Sequence, residues 1–384
     1  MDLEIFFNDK GLAESSQRHY KASVKMYERL HLLTLSELLE EADLEEEKGI
    51  RWKNRKLKQR LVDFRNYVYS YKKEGTAKQY MTDIKAIYRH FEIEIQPLPS
   101  FNPKNIDKTY EPTFEDLPTR QELIDSYYEA NNVTKCILTF AMSSGFSKVD
   151  MLNLTVGDFI KACSNYVANK SLLQQLEALK RQSDVIPTFI GERQKTNKRY
   201  ITFCSPESVQ HICQYLIGRD AELRQDGKEL SYDDVLFKIS GTQLAYNLRK
   251  INAKLKLGLA GNTTRLRCHM LRKFQASTLF NCEEVSWTVA EIDTLQGRSM
   301  DQTHRAYFHN DSKKLWAKYE KSVDDLMLFQ SIHEIDKAAY ENLEKENRFY
   351  KNEIVKNEKK LEEQEQTIKE IKSMQEKLEA LVGL

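Results

Sequence analysis

Apolar residues recur at intervals of three and four through most of the chain, and that spacing predicts a mainly helical protein. Tyr20, Val24, Tyr27 and Leu30 stripe one segment behind serines placed to cap it, and LSELLEEADL follows. Leu57, Leu61, Phe64, Val68 and Tyr71 stripe the next, and Tyr80, Ile84 and Ile87 a fourth, for which Thr76 is the expected cap. These helices make residues 1–95 a small helical domain. Five of the seven prolines then fall between Pro97 and Pro118. Proline removes a backbone donor and disfavours helix in the residue before it, so 96–118 reads as an extended linker.

From Thr119 the helical spacing resumes in RQELIDSYYEA and VTKCILTFAM, and residues 163–185 read as a helix with a polar face. The alternating run VIPTFIGERQKTNKRYITFCS predicts a hairpin turning at Lys195-Thr196-Asn197. PESVQHICQYLIGRDAEL and the basic SGTQLAYNLRKINAKLKLG return to helix, so 119–328 is expected to be an α+β domain with one small sheet. From 329 to 384 the pattern becomes heptads. Ile354, Leu361, Ile368 and Val382 occupy one seam, and Asn357, Gln364, Ile371 and Leu378 the other, as in a weak coiled coil or a long solvated helix.

At 384 residues the chain exceeds one ordinary domain, and 40% hydrophobic content supports real cores. A net charge of +1 hides opposed segments: RWKNRKLKQR and GERQKTNKRY are basic and the tail is glutamate-rich. No run is apolar enough to cross a bilayer, and the first residues lack a signal-peptide pattern. Cys136, Cys163, Cys204, Cys213, Cys268 and Cys282 show no metal-site spacing and read as reduced thiols, so the expectation is a cytoplasmic protein without structural zinc.

The candidate chemistry lies between Cys268 and His309. His269 and Arg272 stand one helical turn apart, able to face a single anion, and Tyr307 closes the segment. An imidazole, a guanidinium and a phenol suit attack of a tyrosine on a phosphodiester. At these residues the sequence resembles the tyrosine recombinase (phage integrase) family, over roughly residues 1–325. His269-Met270-Leu271-Arg272-Lys273-Phe274 resembles the family's HxLRHxF box, and Gln296-Gly297-Arg298 its LGH box, with Tyr307 nine residues beyond Arg298. The resemblance implies a helical core-binding domain that clamps DNA opposite a catalytic domain. It also implies strand cleavage through a 3′-phosphotyrosyl intermediate, without ATP or metal.

By the same resemblance Tyr307 is the nucleophile, Arg272 holds the scissile phosphate, and His269 bonds an oxygen or handles the tyrosine proton. Arg298 stands for the family's second histidine, and Lys195, with Lys198 as competitor, for the hairpin lysine that protonates the leaving oxygen. One departure is serious. Ser144-Gly145-Phe146-Ser147 resembles the box that carries the first catalytic arginine, and Ser147 occupies the arginine's place, with Lys148 the nearest substitute cation. Arg249, Lys250 and Lys254 on the basic helix are candidate DNA contacts, phosphate tracking and a solvated face being equally balanced. The expected function is a site-specific recombinase acting on double-stranded DNA half-sites as a dimer and tetramer, serving integration or excision of a mobile element. The alternatives are a catalytically impaired recombinase-derived DNA-binding protein and a type IB topoisomerase.

Overall fold

A computed structural model describes residues 2–101, 110, 113–167, 170–193, 198–298 and 311–329. The expected coiled coil therefore lies outside the described residues, as do Lys195 and Tyr307. The protein is mainly α with small β elements, the fold class its periodicity predicts. It divides into two compact units, Met1–Glu111 and Pro112–Leu384.

The first unit contains α1 (Asp2–Asp9), α2 (Glu14–His31), α3 (Leu35–Glu47), α4 (Lys56–Tyr71) and α5 (Glu74–His90). Helix α1 went unpredicted because eight residues are too few to show a period. It is held by Phe6 and Phe7, both fully buried, with the Phe6 ring edge-on to Tyr20 at 4.8 Å. The stripes of α2, α4 and α5 converge where Phe64 packs edge-on to Tyr27 (4.9 Å) and the Tyr27 and Tyr88 hydroxyls meet at 3.1 Å. The two carboxylates buried there are paired, as burial demands. Asp83 accepts from Ser23 Oγ at 2.6 Å and from Gln79 Nε2 at 2.7 Å, and the Glu45 carboxylate accepts the first amide of α4, that of Lys56, at 2.8 Å. Two expected caps differ. Helix α5 begins at Glu74 after Lys73, which puts Thr76 inside its first turn, and α2 follows Ala13 without a side-chain cap. Helices held by a buried face this apolar do not need those bonds.

The second unit runs α6 (Arg120–Tyr128), α7 (Asn132–Ser144), α8 (Lys148–Leu152), α9 (Val156–Ala162) and α10 (Leu172–Lys180) before its hairpin. Strands β1 (Thr188–Arg193) and β2 (Lys198–Phe203) pair antiparallel, Gly191 opposite Tyr200 and Arg193 opposite Lys198. Then follow α11 (Pro206–Gln225), α12 (Gly241–Lys254), the short pair β3 (Leu259–Ala260) and β4 (Thr263–Thr264), α13 (Cys268–Phe280), α14 (Val289–Leu295) and α15 (Ser312–Ser322). The β3–β4 pair is an addition to the expected single sheet; two-residue strands leave no alternation to read. Helix α7 is the central element, buried along most of its length, with α11 and α13 packed on it. Arg265 pins the start of the unit, forking onto Glu122 at 2.8 and 3.0 Å and donating to the Leu117 carbonyl at 2.7 Å. Among the described residues no helix is long and apolar enough to cross a membrane.

Past α15 the chain is seated by one buried acid. Glu207, at the start of α11, accepts the backbone amides of Leu328 (2.9 Å) and Phe329 (3.3 Å), and the Phe329 ring packs edge-on to Tyr127 at 5.2 Å. Burial pushes the Glu207 carboxyl up to about 8, against the opposing pull of those two amides and of Arg120. The folded protein thus keeps a proton that the unfolded chain gives up near 4.5, so this group's contribution declines as pH rises from about 4.5 to 8. A Glu207→Gln variant should show a flatter dependence of melting temperature on pH across that window than the wild type. Parallel slopes for the two proteins would refute this.

Candidate active site

The site is assembled where the start of α13 meets the ends of α7 and α14. Arg272, in the second turn of α13, is 94% removed from solvent, yet among the described residues no carboxylate stands at ion-pair distance from it. Its Nη1 donates to the Gly145 carbonyl at 2.6 Å, and its Nη2 donates to the Gln296 carbonyl. Gln296 returns the contact, its Nε2 donating to the Arg272 carbonyl at 2.9 Å and to Gln275 Oε1 at 2.7 Å. Two turns thus supply the acceptors, and both use glycine with positive φ: Gly145 at 65° ends α7, and Gly297 at 59° follows α14. Neither place has room for a side chain. A Cβ on Gly145 would collide with the Gln275 amide, and one on Gly297 would stand 2.8 Å from the Tyr200 ring.

Around this guanidinium the protein gathers further positive charge. Burial, then Arg298 and Arg193, lower the Arg272 pKa to about 10, while Tyr200 and Asp150 oppose the shift. Arg272 remains charged at neutral pH. His269, one turn earlier and exposed, is held below the ordinary imidazole value by partial burial and then by Lys273, Arg267, Arg272 and Arg298. It is therefore neutral at pH 7 and able both to donate and to accept a hydrogen bond. Arg298 is exposed, with Nη1 3.3 Å from the Asp293 carboxylate, an arrangement weak enough to exchange for another anion.

Ser147 is the N-cap of α8. Its hydroxyl donates to the Asp150 carboxylate at 2.7 Å and accepts the Asp150 amide at 3.3 Å. Lys148 is exposed and lies beside the start of α12, its Nζ 3.5 Å from where a Cβ on Gly241 would be. Its charge partly offsets the burial that raises the Cys268 thiol to about 11. On α12, Leu244, Leu248 and Ile251 are buried, and Arg249, Lys250 and Lys254 are exposed. Lys254 is engaged with Glu129, and Arg249 bonds back to the Ala245 carbonyl at 3.2 Å.

Of the residues singled out in the sequence, the structure groups His269, Arg272 and Arg298, and places Lys148 between the starts of α12 and α13, beside Gly241 and near enough to Cys268 to act on its thiol. Two neighbours of the group were missed. Tyr200 is buried with its hydroxyl unbonded among the described residues, its ring edge-on to Phe146 at 5.7 Å. Arg193 ends β1 with Nη1 donating to the Gly297 carbonyl at 2.9 Å. Strand alternation could have found both, since Phe189, Gly191 and Arg193 share one face of the hairpin with Tyr200 and Thr202.

Removing a neighbouring positive charge makes an imidazole easier to protonate. In Arg298→Ala the His269 ring should titrate at higher pH than in the wild type, as followed by NMR of its ring protons. An unchanged or lower midpoint would show that Arg298 does not act on this histidine.

No protein-family model matches the chain, and no curated protein matches it. Among solved structures it is similar to a XerH site-specific recombinase bound to difH substrate, with 15% identity and a TM-score of 0.43 over 68% of this chain and 69% of that one. A lambda integrase dimer bound to a COC′ core site gives 13% identity and a TM-score of 0.45 over 81% and 94%. The Tn1549 transposon integrase in complex with transposon right-end DNA gives 14% identity and 0.44 over 83% and 98%, and these DNA-bound recombinases and integrases are what the chain is similar to.

Proposed function

We propose that the protein is a tyrosine site-specific recombinase that cuts and rejoins double-stranded DNA. The observation that carries this reading is the convergence of His269, Arg272 and Arg298, from two stretches of chain, on a cationic spot where the buried guanidinium has no carboxylate partner among the described residues. A phosphodiester supplies the missing anion, and a guanidinium recognises its paired oxygens better than an ammonium does.

In the proposed reaction the Tyr307 phenol oxygen attacks the phosphorus and the bond to the 5′-oxygen breaks. The phenolic proton passes to a base, for which His269, neutral at pH 7, is the candidate, and Lys195 protonates the departing 5′-oxygen. Arg272 and Arg298 offset the charge that grows on the non-bridging oxygens. Attack by a 5′-hydroxyl on the phosphotyrosine reverses these bonds and reseals a strand, so energy is conserved without a nucleotide. Arg249 and Lys250 on α12 are the proposed backbone contacts, with Lys254 joining if it exchanges Glu129 for phosphate. Paired half-sites bound by a dimer, a tetramer for exchange, and a mobile-element role complete the proposal.

Ser147 favours a second reading, a DNA-binding protein that no longer cleaves, because its hydroxyl caps a helix and brings no charge. Incubation with randomised duplexes nicked beside the cleavage position separates the two. The wild type should form a covalent complex that Tyr307→Phe cannot form, and Arg272→Ala should form it about 10²–10³-fold more slowly. Sequence-selective binding without any trapped wild type would establish the second reading instead.

A further inference from the structure

Residue 147 leaves the proposed site one cation short, and the hairpin supplies a candidate. Arg193 ends β1 on the strand face shared with Phe189 and Tyr200, both buried. It donates to the carbonyl of Gly297 (2.9 Å), while Arg272 donates to the carbonyl of Gln296, the peptide before it. Two guanidiniums from distant parts of the chain therefore hold consecutive carbonyls of one turn. Among the described residues neither has a carboxylate within ion-pair distance, and Arg193 uses one of its five N–H donors. Like charges brought together under partial burial repel unless an anion joins them. Arg272 lies under that influence, its pKa lowered first by burial and then by Arg298 and Arg193, with Tyr200 and Asp150 opposing. Lys148, the other cation close to Ser147 in sequence, rests beside Gly241 and acts on the Cys268 thiol, and unlike Arg193 it is not among the charges that act on Arg272.

We infer that Arg193 supplies the guanidinium that residue 147 lacks, and that it binds a non-bridging oxygen of the phosphate attacked by Tyr307. This rests on the recombinase reading above. The hairpin would thus contribute two groups to the reaction, Arg193 on phosphate charge and Lys195 on the leaving oxygen. The carbonyl bond to Gly297 holds the Arg193 fork beside that of Arg272, and its remaining donors meet the phosphate.

The test is single-turnover trapping by the full chain on a nicked duplex selected with the wild type, comparing Arg193→Ala, Arg193→Gln and Lys148→Ala. Both Arg193 variants should trap about 10²–10³-fold more slowly, whereas Lys148→Ala should stay near the wild-type rate. A duplex whose attacked phosphate is a methylphosphonate carries no charge there. On it the Arg193 variants should come within about tenfold of wild type, a recovery that a merely structural hairpin tether would not give. Unimpaired trapping by the Arg193 variants, or a defect equally large on the methylphosphonate, would overturn the inference while leaving the recombinase reading intact. Absence of trapping by the wild type would overturn that reading, and this one with it.

Discussion

A guanidinium removed from water and given backbone carbonyls in place of a carboxylate is the constraint on which the rest of the second unit turns. Carbonyl dipoles take one N–H from each terminal nitrogen of Arg272 without supplying the full negative charge that a paired carboxylate would. An arginine that ended in a buried ion pair would be electrically quiet and of little use to an anionic substrate. The arrangement requires acceptors from two turns at once, which is why the ends of α7 and α14 must both close on the second turn of α13. Gln275 and Gln296 fill the remaining space, the Gln296 amide nitrogen donating to Gln275 Oε1, so the arginine's position is fixed by groups that carry no charge of their own.

Several features of this arrangement were legible in the sequence. The one-turn spacing of His269 and Arg272 needed only a helix to put them together, and α13 provides it. The alternation around Lys195 read correctly as a hairpin, because a period of two survives in strands of six residues.

Other features were not legible, for reasons of range. Gly145 and Gln296 stand 151 residues apart in number, and nothing local to either says that their carbonyls share one arginine. Arg193 was overlooked because a strand-end arginine in a basic stretch looks like a solvated one until the register with Tyr200 is known. Ser147 and Lys148 drew attention through a motif comparison, and motif comparison cannot see that the serine's hydroxyl is occupied by Asp150. Short elements failed differently. With α1 and the β3–β4 pair, the stabilising contacts are tertiary and leave no repeat to detect.

A cluster of cations in which, among the described residues, the buried guanidinium has no carboxylate at ion-pair distance also affects how the protein behaves in the tube. Any small oxyanion that settles between Arg272 and its neighbours binds the folded chain and not the unfolded one, and so shifts the folding equilibrium by mass action. Phosphate or sulfate in a buffer then acts as a ligand, while chloride or acetate, with poorer geometry for a two-pronged donor, acts less. Apparent thermal stability would follow the choice of salt as much as its strength, so comparisons between variants of this site need a common anion.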